Sequence, residues 1–417
     1  MKEVVLQQKI ERDELVKKRY IPREGLSTAR VSMNDPPIKV ITGPRRSGKS
    51  VFALQLLEGI NFGYLNFDDE RLIGKQDYEQ LIKSIREVYG DTQYLLFDEV
   101  QNLPDWELFV NRLHRRGFNL VITGSNSRLL SRELATHLTG RYIPFQILPF
   151  SFREFLEAKE FSPGDKLLSK ESQGLLLNHL DVYMRSGGYP EIVVKGVEAK
   201  SYLATLFEGI LFRDVVKRYN VRYSKKLHDL GLYLITNHSK EFTYTSLKKA
   251  LAFRSTHTVE NYADYLEEAF LLFTVLRYSP KVKEQMKSPQ KVFAYDTGLI
   301  NAVKFKLTPD TGRLMENLVA VELLRRGKEI YYFRTRDGKE VDFVVKEGLS
   351  LEHLLQVCYE VDDPQTRKRE IGGLIKAAKE TGCKELAILT WDYESQEDSD
   401  PPIKFQPVWK WLLKQGE

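Results

Sequence analysis

The eight residues Gly43-Pro44-Arg45-Arg46-Ser47-Gly48-Lys49-Ser50 place two glycines, a lysine and a hydroxyl in the order that grips a polyphosphate. The glycines let the backbone curl until its N–H groups point inward. Lys49 suits the β/γ-phosphates, and the Ser50 hydroxyl suits Mg²⁺. The helix predicted from Ser50 and Val51 onward adds the positive end of its dipole. Ile38–Thr42 reads as a β-branched strand entering this loop, and residues 51–57 read as a helix leaving it. A chance match in a glycine-containing turn competes with this reading, but would not require a strand before and a helix after. The expected ligands are ATP and Mg²⁺.

About fifty residues on, Tyr94-Leu95-Leu96-Phe97-Asp98-Glu99 is an apolar run that ends in two acids. A continuous apolar run is how a buried parallel strand reads, and ligands gather at the carboxyl ends of such strands. Asp98 is the candidate for the Mg²⁺ shell. Glu99 is the candidate for polarising an attacking water, which argues for hydrolysis beyond binding. A third run, Leu120–Thr123, leads into Gly124-Ser125-Asn126-Ser127. Ser125 and Asn126 are candidates for sensing the terminal phosphate; an ordinary turn is the alternative. In Thr139-Gly140-Arg141-Tyr142, Arg141 could neutralise transition-state charge, either in its own chain or from a neighbouring copy. The catalytic set is therefore Lys49, Glu99, Asn126 and Arg141, and a homo-oligomer is one expected partner state.

The 417 residues predict about two to four domains. Apolar residues make up 42% of the chain, enough for buried cores. No apolar run approaches the ~20 residues that span a bilayer, and the start lacks a secretory h-region, so no membrane partner is expected. The two cysteines, Cys358 and Cys383, make neither a zinc pattern nor a disulfide framework, which suits a cytoplasmic location. Residues 200–290 carry fifteen Lys/Arg against nine Asp/Glu, more than the whole net charge of +5. That local excess points to DNA as a partner.

Five segments are expected. Residues 1–34 read as an N-terminal helical arm, 35–155 as an α/β core with a parallel sheet, and 156–222 as a helical lid or linker. Gly187-Gly188-Tyr189-Pro190 reads as a plain interhelical turn within the third. Residues 223–285 order as helix, short extended piece, two helices and a strand. This resembles a winged helix, with Ser255, Thr256, His257, Thr258 and Asn261 near the start of the reading helix. Lys248, Lys249 and Arg254 lie on the approach. Glu260, Asp264, Glu267 and Glu268 favour the alternative, a winged helix that only packs against the core. Residues 286–417 order as αβββαβ, which resembles the PD-(D/E)XK nuclease, or restriction-endonuclease-like, fold.

Taken together, the chain resembles the archaeal-type prokaryotic P-loop ATPases of the AAA/STAND group that carry a winged helix and a nuclease-like C-terminal domain. The resemblance rests on residues 43–50, Phe97-Asp98-Glu99-Val100-Gln101, Ile122-Thr123-Gly124-Ser125-Asn126, Pro149-Phe150-Ser151-Phe152-Arg153-Glu154-Phe155 and Tyr295-Asp296-Thr297-Gly298-Leu299. It implies that Glu316 and Asp342 match two metal-binding positions of the nuclease fold. The third reads Gln356-Val357-Cys358, where an acid and a lysine are expected, so the set is incomplete unless a displaced lysine such as Lys346 or Lys368 substitutes. Three functions follow as expectations: an ATP-hydrolysing switch on DNA with a degenerate nuclease-like domain, an ATP-dependent DNA nuclease, or a nucleotide-binding scaffold that does not touch DNA.

Overall fold

The computed structural model describes residues 1–72, 77–126, 138, 140–162, 169–304 and 310–414; Ser127 and Thr139 lie outside them. The chain divides into two compact units, Met1–Phe150 with Glu268–Phe270, and Ser151–Glu267 with Leu271–Glu417. Among the described residues, no helix is long and apolar enough to cross a membrane.

The first unit is built on strands β1 (Ile38–Thr42), β2 (Phe62–Asn66), β3 (Tyr94–Asp98), β4 (Asn119–Gly124) and β5 (Tyr142–Gln146). They form one sheet in the order β2-β3-β4-β1-β5, and each pairing is parallel. Val40, Ile41, Leu65, Leu96, Phe97 and Ile122 are fully buried, as expected of strands covered on both faces. The N-terminal helix Lys2–Val16 belongs to this unit rather than standing apart as an arm. The Gln8 side chain donates to the Asn66 carbonyl at 3.1 Å and accepts from the Asn66 N–H at 2.9 Å, closing the end of β2. Arg12 donates to the Phe62 carbonyl and lies over the Phe62 and Tyr89 rings.

The second unit begins at Ser151, four residues before the expected end of the α/β core. Ser151 accepts from the Glu154 N–H while the Glu154 carboxylate accepts from the Ser151 N–H, a reciprocal cap that starts helix Phe152–Ala158. Arg153 ties this helix to the C-terminal one by donating to the Leu413 carbonyl at 2.7 Å. The Pro149-to-Phe155 motif is thus a helix start.

Strands β6 (Lys240–Phe242), β7 (Leu272–Leu276) and β8 (Gln290–Ala294) form a small sheet in the order β6-β8-β7. Helix Ser224–Thr236 precedes β6, helices Tyr244–Ala250 and Thr256–Glu268 lie between β6 and β7, and helix Val282–Lys287 lies between β7 and β8. The boundary expected at residue 285 falls inside the β7–β8 hairpin, since β8 pairs antiparallel with both β6 and β7. Beyond it come helix Thr311–Arg325, antiparallel strands β9 (Glu329–Arg334), β10 (Glu340–Glu347) and β11 (Ser350–Cys358), then helix Pro364–Thr381. Strands β12 (Leu386–Thr390), β13 (Ser395–Glu397) and β14 (Ile403–Pro407) complete a sheet ordered β13-β14-β12-β11-β10-β9.

Gly187-Gly188 proves more than the plain turn expected. The Asp296 carboxylate accepts from the Gly188 N–H at 2.8 Å and from the Leu299 N–H at 3.1 Å. Burial pushes this carboxyl up to about 6, against the N–H groups of Gly188, Leu299 and Gly298. A Cβ on Gly187 would lie 2.0 Å from Asp296 Oδ1, and one on Gly298 would lie 2.3 Å from the Ser186 carbonyl oxygen. Two motifs distant in sequence are therefore docked backbone to backbone. Gly298→Ala is expected to lower the unfolding free energy of this unit by about 3 kcal/mol. Urea unfolding of the purified variant checks it, and a midpoint equal to that of the unsubstituted protein would refute the docking.

Candidate nucleotide-binding site

The loop of residues 43–48 leaves the carboxyl end of β1 and opens helix Lys49–Leu56. Its shape is imposed by close neighbours. Gly43 has φ 146°, and a Cβ there would lie 2.0 Å from the Ile147 carbonyl oxygen, so a side chain is excluded. That same oxygen accepts from Ser47 Oγ at 2.7 Å, while the Ile147 N–H donates to the Thr42 carbonyl at 2.7 Å. Arg23, buried, clamps the loop from outside. It donates to the Ser47 carbonyl at 2.8 Å and to the Leu148 carbonyl at 2.6 Å, with its guanidinium over the Phe150 ring. Arg46 and Gly48 take left-handed conformations that curl the loop.

Lys49 is buried; its Nζ donates to the Pro44 carbonyl at 3.0 Å and lies 3.9 Å from Glu99 Oε1. Ser50 Oγ donates to Asp98 Oδ1 at 2.9 Å. Val51 follows, half-buried, in the helix. Because β4 lies between β1 and β3, its end reaches the acid pair. Thr123 Oγ1 donates to Asp98 Oδ1 and accepts from the Glu99 N–H at 3.0 Å. Glu99 itself is left-handed, with φ 52°, which turns the chain off the strand end. Its carboxylate accepts from Gln101 Nε2 at 2.5 Å and from Ser125 Oγ at 3.1 Å. Asn126 follows Ser125 and is buried.

The two acids are tuned apart. Burial and the neighbouring Glu99 charge push Asp98 up, against hydrogen bonds from Thr123 and Ser50 and the charge of Lys49. Burial acts against Glu99 as well. There Lys49, Gln101, Arg45 and Ser125 outweigh it and hold the carboxyl below the ordinary glutamate range. Ser50 and Asp98 offer paired hard oxygen donors, so the residues present fit Mg²⁺.

Arg141 corrects the sequence reading. It precedes β5, and its carbonyl accepts from the Ile38 N–H at 2.8 Å, at the start of β1. The phosphate loop leaves the opposite end of that strand, about 16 Å away at about 3.3 Å per residue. Arg141 Nη1 donates instead to Asn111 Oδ1 at 3.0 Å. A role at the phosphates of its own chain is excluded. Conversely, Arg23, Gln101 and Thr123 had been given no role. Gln101 and Thr123 lie within motifs already singled out, but Arg23 stands in none.

A family model described as an AAA domain matches residues 35–156. Two models described as domains of unknown function, DUF8612 and DUF4143, match residues 177–311 and 311–403. Uncharacterized protein MJ1544 of Methanocaldococcus jannaschii is 36% identical over 397 residues, covering 90% of this chain and 88% of that protein. An uncharacterized protein of Haemophilus influenzae is 34% identical over 416 residues, covering 95% and 100%. The chain belongs to the same family as these two proteins, and its N-terminal part is an AAA domain. Among solved structures, the Walker-type ATPase PABY2304 of Pyrococcus abyssi is similar at TM-score 0.46 and 13% identity, covering 69% of this chain and 99% of that one.

The second unit of this AAA-domain protein brings Glu316 and Asp342 together around an unforeseen lysine. Lys291 of β8 has its side chain 1% exposed; its Nζ lies 2.8 Å from Glu316 Oε1, 2.7 Å from Glu340 Oε1 and 3.3 Å from Asp342 Oδ1. Burial works against this ammonium, but Glu316, Asp342 and Glu340 more than offset it and hold its pKa well above the ordinary value. Burial also pushes the Glu316 and Asp342 carboxyls up, against the Lys291 charge. The lysines considered from sequence lie elsewhere: Lys346 faces Glu329 at 3.5 Å, and Lys368 is exposed. Gln356 Oε1 accepts from the Asp342 N–H at 3.2 Å. Cys358 is buried, and burial pushes its thiol up to about 11, so it brings no charge.

The Arg23 clamp yields a testable consequence for the phosphate loop. Arg23→Ala frees the Ser47 and Leu148 carbonyls and removes a guanidinium hydrogen-bonded to both, contacts worth about 1.5–3 kcal/mol each when charged. The dissociation constant for a fluorescent ATP analogue should rise by about tenfold or more. Affinity equal to that of the unsubstituted protein would show that the loop holds its shape without the clamp.

Proposed function

We propose that the chain is an ATP-hydrolysing switch that contacts DNA through residues 224–294, with a C-terminal domain that is a poor nuclease. The observation carrying the ATPase reading is the paired acid arrangement: Asp98 beside Ser50 at 2.9 Å, and Glu99 held by Gln101 and Ser125. Bound at Ser50 and Asp98, Mg²⁺ would neutralise charge on phosphate oxygens. The loop N–H groups and Lys49 bind and orient the polyphosphate. Glu99, ionised, orients a water and accepts its proton. Ser125 and Asn126, at the end of β4, sit where a change at the phosphate would reach the Glu99 carboxylate. Arg141, on this reading, serves only a second copy of the chain.

Glu99→Gln keeps the side-chain shape and removes the charge, so ATP binding should persist while turnover falls by about 10²-fold or more. The pH dependence has a definite sign. The active form is the carboxylate, and its pKa is lowered from 4.5, so Glu99 itself should impose no loss of rate as pH falls from 8 toward 5. A phosphate-release assay across that range checks both; normal turnover by Glu99→Gln would remove Glu99 as the base.

DNA contact is supported by charge and element order. Three helices, β6 and the β7–β8 hairpin follow one another in the order that resembles a winged helix. Lys249, Arg254, Ser255 and His257 are exposed around the start of helix Thr256–Glu268, and Lys283 and Lys287 are exposed on the hairpin. The scaffold reading has its own support in Glu260 and Asp264, exposed on the same helix. Duplex binding should be sequence-tolerant. Replacing Lys248, Lys249 and Arg254 by Ala should lower the salt slope by about 3 if each touches a phosphate. Fluorescence anisotropy at several salt concentrations decides; absence of binding at low salt would favour the scaffold.

A further inference from the structure

We propose that Lys291 is the permanent cation of the acidic pocket formed by Glu316, Glu340 and Asp342, taking the place of a divalent metal, so that this pocket bolts the β7–β8 hairpin to the six-stranded sheet. The inference does not depend on the ATPase reading. It turns on whether the residues present fit the metal that the nuclease-like element order implies, and they do not.

The Lys291 ammonium donates to Glu316 at 2.8 Å and to Asp342 at 3.3 Å, and it pairs with the Glu340 carboxylate at 2.7 Å. The two shorter contacts have the length of charge-assisted pairs. Mg²⁺ holds its oxygens at about 2.0–2.1 Å and wants about six of them. A dication could approach these three oxygens only by displacing the ammonium, and the two positive charges would repel within a buried pocket. The remaining donors are committed elsewhere. Asp342 Oδ2 accepts from the Val357 N–H at 3.0 Å, and Gln356 spends its carbonyl oxygen on the Asp342 N–H. Glu340 also pairs with Arg334 at 2.9 Å.

The lysine is also anchored from behind. Lys291 lies mid-strand in β8, in register with Glu241 on one side and Val275 on the other. Three residues on, Asn317 closes a second lock: its amide accepts from the Ala294 N–H and donates to the Ala294 carbonyl, each at 2.8 Å. Asn317 neighbours Glu316 on helix Thr311–Arg325, so one helix turn grips β8 by charge and by backbone. Arg334 bridges the same two sheets, reaching Glu241 and Glu340 at 2.9 Å each. The pocket's carboxylates are thereby occupied in holding a strand.

The test combines a metal titration with unfolding, on the full chain without nucleotide. In the wild type, Mn²⁺ should give no calorimetric binding that depends on Asp342, and should move the melting temperature by less than about 1 °C. Lys291→Met leaves the buried Glu316 and Asp342 without their cation and should melt about 10 °C lower. Adding Glu316→Gln and Asp342→Asn to Lys291→Met should recover part of that loss. Mn²⁺ binding by the wild type that vanishes in Asp342→Asn would overturn the proposal, as would Mg²⁺- or Mn²⁺-dependent DNA cleavage abolished by the same substitution. Melting of Lys291→Met at the wild-type temperature would overturn it too. Should Lys291→Met fail to fold, the wild-type titration against Asp342→Asn still decides.

Discussion

An ammonium withdrawn from water must be met by oxygen atoms, and each unit of this chain is organised around one such lysine. In the first, Lys49 rests on the Pro44 carbonyl and faces Glu99 across 3.9 Å. In the second, Lys291 is enclosed by Glu316, Glu340 and Asp342. The two solutions differ in kind. Lys49 donates to the Pro44 carbonyl of the phosphate loop and faces the Glu99 carboxylate at 3.9 Å. Lys291 is enclosed by three carboxylates and hydrogen-bonded to two of them. A shared requirement for charge compensation thus yields a ligand site in one unit and a structural joint in the other.

The sheet orders follow from what these lysines need nearby. In the five-stranded sheet, β4 intervenes between the strand that feeds the phosphate loop and the strand that carries the acids. Its Thr123 and Ser125 therefore reach both acids; burial pushes both carboxyls up, and the neighbours of Glu99 outweigh it while those of Asp98 do not. In the second unit, β8 is the central strand of the small sheet. From it Lys291 reaches Glu316 on helix Thr311–Arg325 and Glu340 and Asp342 on β10 of the six-stranded sheet. Lys291 and Asn317 turn that position into a joint between the hairpin and the C-terminal domain.

Several conspicuous polar motifs turn out to serve the backbone. Ser151 and Glu154 satisfy orphan N–H groups at a helix start. Asp296 binds the N–H groups of Gly188 and Leu299, and the facing glycines are required because a Cβ would collide. Such residues have the composition of a catalytic set without its exposure to a ligand. Their chemistry is spent on docking one segment onto another.

Much of the nucleotide site was legible in the amino-acid order. The phosphate loop, the strand before it, the helix after it and the Asp98-Glu99 pair are local features, set by residues adjacent in the chain, and local periodicity is what a sequence displays directly. The αβββαβ order was also readable from runs of residues, and the pairing of Glu316 with Asp342 was implied only by the resemblance to the nuclease fold. What tertiary structure alone decided were the pairings across long separations. Arg23 clamps a loop twenty-four residues away. Arg141 falls at the wrong end of the sheet because β5 runs parallel to β1, a choice of strand direction that no local pattern encodes. Lys291, twenty-five residues from Glu316 and fifty-one from Asp342, has nothing in its sequence neighbourhood to mark it. Its role comes from the strand order that sets β8 against an acidic pocket, and from the cost of leaving either charge there alone.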